Sequence, residues 1–137
     1  MFKKVLVPVD GSPFTLEIRD YAIDFAKKLG SNLTFLYVID VPKTTAESEV
    51  LKQKQACAKT VDDCKAKADQ MGVKALSRVV VGRPGEAIVD ICESEKFDLV
   101  IMGSKGYSHL RYLVIGSVAD QVVNHAVCSV LVKRRIL

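Results

Sequence analysis

Glycine residues recur at fixed offsets in the segment that follows the short apolar run Leu99–Met102. Gly103 ends that run, Gly106 follows after two residues, and Gly116-Ser117 follows after nine more. Glycine lets backbone N–H groups come close to a bulky anion, and a helix that starts after such a loop leaves its first amides unpaired and slightly positive. The spacing therefore predicts a cradle for phosphate groups.

Polar side chains within the same segment could add to the cradle. Ser104 and Ser117 carry hydroxyl donors, and Lys105 supplies a compensating positive charge. The composition is equally compatible with a plain loop followed by a helix cap, because isolated glycine patterns are weak evidence. Both interpretations stay open on the residues alone.

The spacing Gly103-x-x-Gly106-x9-Gly116-Ser117 matches the signature G-x-x-G-x9-G-[ST], and the chain resembles the universal stress protein family. The likeness extends from Val5–Asp10 to Ser129–Lys133. Family members with an intact signature bind ATP and members without it do not, so the resemblance implies an ATP-binding protein. It further implies a nucleotide-dependent role in the stress response, with Mg²⁺ held mostly by phosphate oxygens and water.

The resemblance also assigns individual positions around the nucleotide. Pro8, Val9 and Asp10 would line the nucleoside end, Val38 would read the adenine edge, Met102 would pack beneath the nucleotide, and Gly103, Lys105, Gly106, Gly116, Ser117 and Val118 would surround the phosphates. Two of these residues have equally good structural interpretations. Asp10 could close an Asx turn before Gly11, and Val38 could belong to the sheet core.

No residue constellation in the sequence pairs a general base with a metal site, so no catalytic residue and no efficient ATPase are expected. His109 and His125 are interpreted as structural, and Arg111 as a solvated side chain. Two alternatives stay open. One is a slow ATP hydrolase, or an enzyme that phosphorylates itself on Ser104, Ser108 or Ser117. The other is a dimeric interaction module without nucleotide, in which the glycines are only turns.

Apolar runs of strand length alternate strictly with amphipathic segments. The predicted strands are Val5–Val9, Leu33–Ile39, Val73–Val81, Leu99–Met102 and Val130–Val132, and the predicted helices run from Pro13 to Leu29, from Ala46 to Met71, from Glu86 to Lys96 and from about Val118. This alternation predicts an open, doubly wound α/β fold of Rossmann-like type, with a parallel sheet and helices on both faces. The resemblance implies the strand order 3-2-1-4-5, which brings together the loops after the first and fourth strands.

Turn and edge residues give finer predictions. Ser12 is expected to cap the first helix with Pro13 at its first position, and Pro8 is expected to end the pairing of the first strand. The apolar fifth strand lies at an edge of the sheet, and the resemblance implies a homodimer that pairs these strands.

Composition limits the class of protein. A chain of 137 residues with 49% hydrophobic and 26% charged residues fits one globular domain spanning 1–137. The start reads directly into a strand rather than into a secretory leader, so a cytoplasmic location is expected. A net charge of +4 with dispersed lysines makes nucleic acid an unexpected partner. The four cysteines lack C-x-x-C spacing and are expected to be reduced, buried thiols: Cys57, Cys64, Cys92 and Cys128.

Overall fold

The strands form from apolar runs rich in β-branched residues, which favour a pleated sheet buried on both faces. The computed structural model describes residues 1–104 and 115–135. Within them the strands are β1 (Lys4–Val9), β2 (Asn32–Ile39), β3 (Ala75–Val81), β4 (Leu99–Gly103) and β5 (Ser129–Lys133). The helices are α1 (Thr15–Leu29), α2 (Glu47–Gln70), α3 (Pro84–Ser94) and α4 (Ser117–His125).

All strand pairs are parallel, and the sheet order is β3-β2-β1-β4-β5. This confirms the predicted fold class and strand order. Alternate residues of a central strand serve opposite layers. Val5 and Val7 pack with α1 and α2, whereas Leu6 packs with α3 and α4. All three side chains are fully buried, so β1 anchors both halves of the core.

The sheet opens where β1 and β4 part. β1 stays in register with β2 as far as Val9↔Tyr37, but its pairing with β4 stops at Leu6↔Val100. Pro8 has no N–H to donate to a neighbouring strand, yet the register of β1 with β2 continues past it. The prediction that pairing ends at Pro8 is therefore wrong for β2, which stays paired as far as Val9, and pairing with β4 ends before Pro8, at Leu6. The resulting crevice lies at the carboxyl ends of both strands.

The predicted start of the first helix is wrong. Phe14 is the N-cap of α1, and no side chain caps the helix. The carbonyl of Ser12 instead accepts the N–H of Thr15 at 2.9 Å, so Ser12 and Pro13 belong to a turn that precedes the helix. The N–H of Ser12 donates to the carboxylate of Asp10, and its Oγ has no hydrogen-bond partner among the described residues, so Ser12 does not cap the helix.

Two other boundaries differ for local reasons. Val73 does not start β3, because its N–H bonds the carbonyl of Ala68 and closes the end of α2, with Gly72 at a φ of 78°. This is the usual helix-ending arrangement, in which glycine takes the left-handed conformation. α3 begins two residues earlier than predicted, because Pro84 occupies its first turn, where a missing N–H costs nothing. None of the described helices is long and apolar enough to cross a membrane.

The cysteines divide into two buried and two half-buried thiols, so the expectation of four buried ones is half right. Cys64 and Cys92 are buried, while Cys57 and Cys128 are half-buried, and all four are free. Burial raises the pKa of the Cys64 thiol to about 11. Burial, followed by the charge and hydrogen bond of Cys128, raises the pKa of Cys92 to about 12.

These thiols predict a loss of stability in alkaline solution. The ordinary pKa is 9.0, so above this pH the unfolded chain gives up both protons while the folded chain keeps them. The free energy of unfolding should fall by up to about 2.7 kcal/mol per pH unit between roughly pH 9 and pH 11. Urea unfolding across this range should show a shallower decline in a Cys64→Ala/Cys92→Ala variant. Equal slopes for the two proteins would contradict the assignment.

Candidate functional site

The crevice between β1 and β4 is the mouth of a cavity of about 350 Å³, a size typical of small-molecule sites. Three helices, α1, α3 and α4, begin at its wall. The described lining residues are Pro8, Val9, Asp10, Ser12, Phe14, Thr15, Ile18, Leu36, Val38, Pro84, Ile88, Met102, Gly103, Ser104, Gly116, Ser117, Val118 and Ala119. Parallel sheets bind ligands at this kind of position, outside the carboxyl ends of the strands.

The fold brings together most of the residues that the sequence singled out. Nine of the eleven line the cavity: Pro8, Val9, Asp10, Val38, Met102, Gly103, Gly116, Ser117 and Val118. The other two, Lys105 and Gly106, lie outside the described residues. The nine come from the ends of three strands and the start of one helix. Their assignment to a nucleotide stays a prediction, but their meeting in one cavity is a property of the fold.

Asp10 is fixed by its own loop. Its Oδ1 accepts the backbone N–H of Ser12 at 3.0 Å and the hydroxyl of Thr15 at 3.5 Å. Its carbonyl accepts the hydroxyl of Tyr37 at 2.9 Å. The Asx turn considered from sequence is therefore present. Among the described residues no hydrogen bond uses Oδ2, so the turn leaves one carboxylate oxygen for another donor.

Ser12 is the most unusual polar group on the cavity wall. The residue is 3% exposed, and its Oγ is the one buried side-chain polar atom in the described part of the chain that has no hydrogen-bond partner. Sequence reasoning placed this hydroxyl at a helix cap and so missed it as a site residue. Its position directly after β1, in a loop at the carboxyl end of the sheet, was the available signal.

The β4 and α4 ends of the glycine-rich segment are joined to each other. The N–H of Gly116 donates to the carbonyl of Ser104 at 2.7 Å, and the N–H of Ser104 donates to the carbonyl of Lys133 at 3.0 Å. Gly116 is the N-cap of α4, and no side chain caps this helix. Because Gly116, Ser117, Val118 and Ala119 all line the cavity, the positive end of the α4 dipole faces it.

Gly103 is required by packing as well as by its place in the signature. A Cβ at this position would lie 2.7 Å and 2.9 Å from two ring carbons of Phe14. The Phe14 side chain is buried, and Ile18 Cδ1 lies 3.5 Å from the same point. The ring therefore fills the space that a side chain at Gly103 would occupy. Phe14 and Ile18 were not predicted as site residues, because their helical spacing indicated only a core face.

Comparison with known proteins identifies the family of this chain. The sequence model of the universal stress protein family matches residues 1–134. The chain belongs to this family. A universal stress protein of Methanocaldococcus jannaschii is 36% identical over 145 residues, which cover 98% of this chain and 84% of the relative.

Solved structures support this family member's fold. Universal stress protein UspA from Lactobacillus plantarum superimposes with a TM-score of 0.85 at 27% identity, covering 97% of this chain and 98% of the other. The universal stress protein of Archaeoglobus fulgidus in complex with dAMP has a TM-score of 0.73 at 18% identity, covering 96% and 98%. At that identity the second likeness concerns the fold alone.

The other side chains of this universal stress protein that the sequence analysis considered do not line the cavity or lie outside the described residues. His125, near the end of α4, has Nδ1 2.9 Å from the carbonyl of Gln121, so this nitrogen carries the proton and caps its own helix. His109, Ser108 and Arg111 lie outside the described residues. Asp10 is the single ionisable side chain among the described lining residues. No group of three His, Cys, Asp or Glu side chains that could hold a metal ion occurs within residues 1–104 and 115–135.

Proposed function

We propose that this universal stress protein binds ATP in the cavity between β1 and β4 and acts in the stress response through its nucleotide state. The observation that carries the proposal is the convergence of nine signature and flanking positions, separated by up to about a hundred residues in sequence, on one cavity wall. An intact spacing of the three glycines supports the same reading. A relative of the same fold has been solved with dAMP, also an adenine nucleotide.

The adenine base would lie against the apolar side of the cavity. Leu36, Ile88 and Met102 are buried there in the core layer of α3 and α4, and Val38 packs against the same layer. A flat, apolar wall suits a purine ring, and the Met102 thioether makes favourable contacts with aromatic edges. Asp10, across the crevice, would accept a hydrogen bond from a ribose hydroxyl or an exocyclic amine.

The phosphates would lie at the start of α4. The first amides of this helix have no side-chain cap and face the cavity, so they can donate to phosphate oxygens together with the hydroxyl of Ser117. Lys105 and Gly106 would complete this cradle. Mg²⁺ would be carried by the phosphates and water, with the protein holding the anion rather than the metal.

The proposed role is signalling from the cytoplasm to a protein partner, rather than turnover of ATP. β5 forms one edge of the sheet, and its residues Val130, Leu131 and Val132 are only half-buried in the single chain. An apolar, unpaired edge favours a second strand, so we propose a homodimer through β5. Light scattering in solution, which measures the mass of the assembly, tests this part of the proposal.

The first experiment is to denature the protein as purified from cells, identify released nucleotide by mass, and titrate the emptied protein with ATP in the calorimeter. We expect one adenine nucleotide per chain. ATP at about 100 times its dissociation constant should also raise the free energy of unfolding by about 2.7 kcal/mol.

Each outcome separates the open alternatives. Stoichiometric ATP indicates a tight binder with slow or no hydrolysis. ADP or AMP indicates turnover, and labelled phosphate on the protein would assign it to self-phosphorylation. An empty protein that neither binds ATP in the titration nor gains thermal stability from it would contradict the proposal in favour of a nucleotide-free interaction module.

A further inference from the structure

Two of the four thiols meet at the amino end of the sheet, away from the cavity. Cys92 is fully buried near the end of α3, and Cys128 is half-buried in the short connection between α4 and β5. The two thiols share a hydrogen bond. They come from different elements, so the contact is made by the tertiary fold.

The backbone brings these two residues together independently of the thiols. The carbonyl of Cys92 accepts the N–H of Phe97 at 3.1 Å, which turns the chain from α3 towards β4. The strands β4 and β5 then start side by side, because Leu99 lies opposite Ser129 in their parallel register. Cys128 directly precedes Ser129, and its side chain packs against the same core layer that contains Cys92. The end of α3 and the start of β5 therefore lie next to each other.

The two thiols differ in exposure, which gives them different chemistry. Solvent reaches Cys128, whereas Cys92 is shielded, and burial together with the charge of Cys128 raises the pKa of Cys92 to about 12. An accessible thiol beside a second thiol is typical of oxidant-sensitive pairs, in which one sulfur is oxidised and the other resolves it. Cys128 is the sulfur that an oxidant can reach, and Cys92 is the one that can resolve it.

The connection that carries Cys128 can accommodate a bond between the sulfurs. An S–S bond is about 2.05 Å long, so thiols in hydrogen-bond contact have to move closer together. Residues 126–128 belong to no helix or strand, and Val127 is 68% exposed. A shift of this short segment would bring the sulfur of Cys128 to that of Cys92 without moving a core element.

The other two cysteines do not form such a pair. Cys57 and Cys64 both lie on α2, seven residues apart, which corresponds to about 10.5 Å along a helix axis. A disulfide needs Cα atoms within about 7 Å of each other. Cys64 also packs in the opposite core layer from Cys92. The fold therefore favours a single intramolecular bond.

We propose that Cys92 and Cys128 form a reversible intramolecular disulfide when the protein meets a peroxide. The Cys128 thiolate attacks a peroxide oxygen, the O–O bond breaks, and the leaving oxygen takes a proton from water while Cys128 becomes a sulfenic acid. The sulfur of Cys92 then attacks the Cys128 sulfur. The S–S bond forms, the S–O bond breaks, and the oxygen leaves as water with the Cys92 proton. The two sulfurs together give two electrons to the peroxide.

This disulfide would tie α3 to the start of β5, and it goes beyond the proposed function because it does not depend on a nucleotide. The loop of chain that it closes runs through β4, residues 103–117 and α4. A disulfide restricts mainly the unfolded chain, so the oxidised protein should melt about 5 °C or more above the reduced protein. Thiol reductants would open the bond again.

The test treats folded wild type with excess hydrogen peroxide and identifies the products by intact mass and by mapping of linked peptides. We expect the loss of two hydrogen atoms, a link between Cys92 and Cys128, and recovery of both thiols with dithiothreitol. Melting of the oxidised and reduced forms measures the shift in stability.

Two variants separate the roles of the thiols. In Cys92→Ser the oxidised Cys128 has no resolving thiol, so its sulfenic acid should accumulate and be trapped by dimedone, whereas wild type should show no such adduct at Cys128. The matched control is Cys57→Ser, which removes a thiol that is half-buried like Cys128 but lies on α2. This control should form the same disulfide as wild type and show the same rise in melting temperature. If Cys92→Ser does not fold, the linkage map of wild type decides alone.

Several results would overturn the proposal. One is a link between any other two cysteines, and another is a Cys128 thiol that survives peroxide or stops at the sulfenic acid in wild type. An oxidised protein that melts no higher than the reduced one would also contradict it, because the bond would then strain the fold instead of fitting it.

Discussion

Replacing Gly116 with valine is expected to weaken ATP binding at least about 100-fold, or by about 2.7 kcal/mol, while the protein stays folded. Gly116 lies on the cavity wall as the N-cap of α4. Its φ of −63° and ψ of 159° form an extended conformation that valine adopts without strain. The branched side chain would therefore cost little in the backbone, but it would occupy the space beside the first amides of α4 that the phosphates require.

Calorimetric titration with ATP measures this effect, and circular dichroism with thermal melting establishes that the variant is folded. The same substitution at Gly82 provides a matched control. Gly82 does not line the cavity, and a Cβ there meets only Ala87 Cβ at 3.8 Å. A folded Gly116→Val variant that binds ATP as tightly as wild type would exclude α4 as the phosphate site.

The Gly103→Ala substitution is expected to lower the free energy of unfolding by about 2 kcal/mol even without ligand, as overpacking of a filled core does. The new Cβ would lie 2.7 Å from Phe14 Cε1 and 2.9 Å from Cδ1. A buried phenyl ring cannot give way as the end of a long side chain can, because neighbouring residues enclose it. β4 and α1 would have to move apart, and urea unfolding measures the cost.

Two comparisons identify the ring as the cause. Gly82→Ala introduces the same methyl group at ordinary contact distance and should change stability by less than about 0.5 kcal/mol. In a double-mutant cycle, shortening Phe14 to leucine should recover part of the loss at Gly103, with a coupling of about 1 kcal/mol or more. Additive effects of the two substitutions would show that the ring does not make the limiting contact.

The order and type of the elements could be predicted from the sequence because the underlying physics is local. Strand-length apolar runs such as Leu33–Ile39 and Leu99–Met102 bury their side chains in a sheet that has helices packed on both faces. The amphipathic segments between these runs form those helices. Glycines at 103, 106 and 116 are likewise local signals, since spacing along the chain is all that the signature needs. The strand order implied by the family resemblance then placed the site at the carboxyl ends of β1 and β4.

Errors in the sequence interpretation arose where two local signals competed. Ser12 followed by Pro13 has the composition of a helix start, yet the Ser12 hydroxyl bonds no backbone N–H among the described residues and the helix starts at Thr15. Val73 is a β-branched residue that favours a strand, but its N–H donates to the carbonyl of Ala68 at the end of α2. In each case hydrogen bonds that differ little in energy compete, and neighbouring residues decide between them.

What only the tertiary structure decided is which side chains meet across the crevice. Phe14 against Gly103 joins residues 89 positions apart in sequence, and Ser12 belongs to the cavity wall while its hydroxyl is buried without a hydrogen-bond partner among the described residues. Periodicity marks the face on which a residue lies, but the contacts of that face depend on how the helices are set on the sheet. Sequence by itself determined the fold class, the family signature and the position of the cavity. Long-range packing determined that Gly103 must be glycine for Phe14 and that Ser12 lies on the cavity wall.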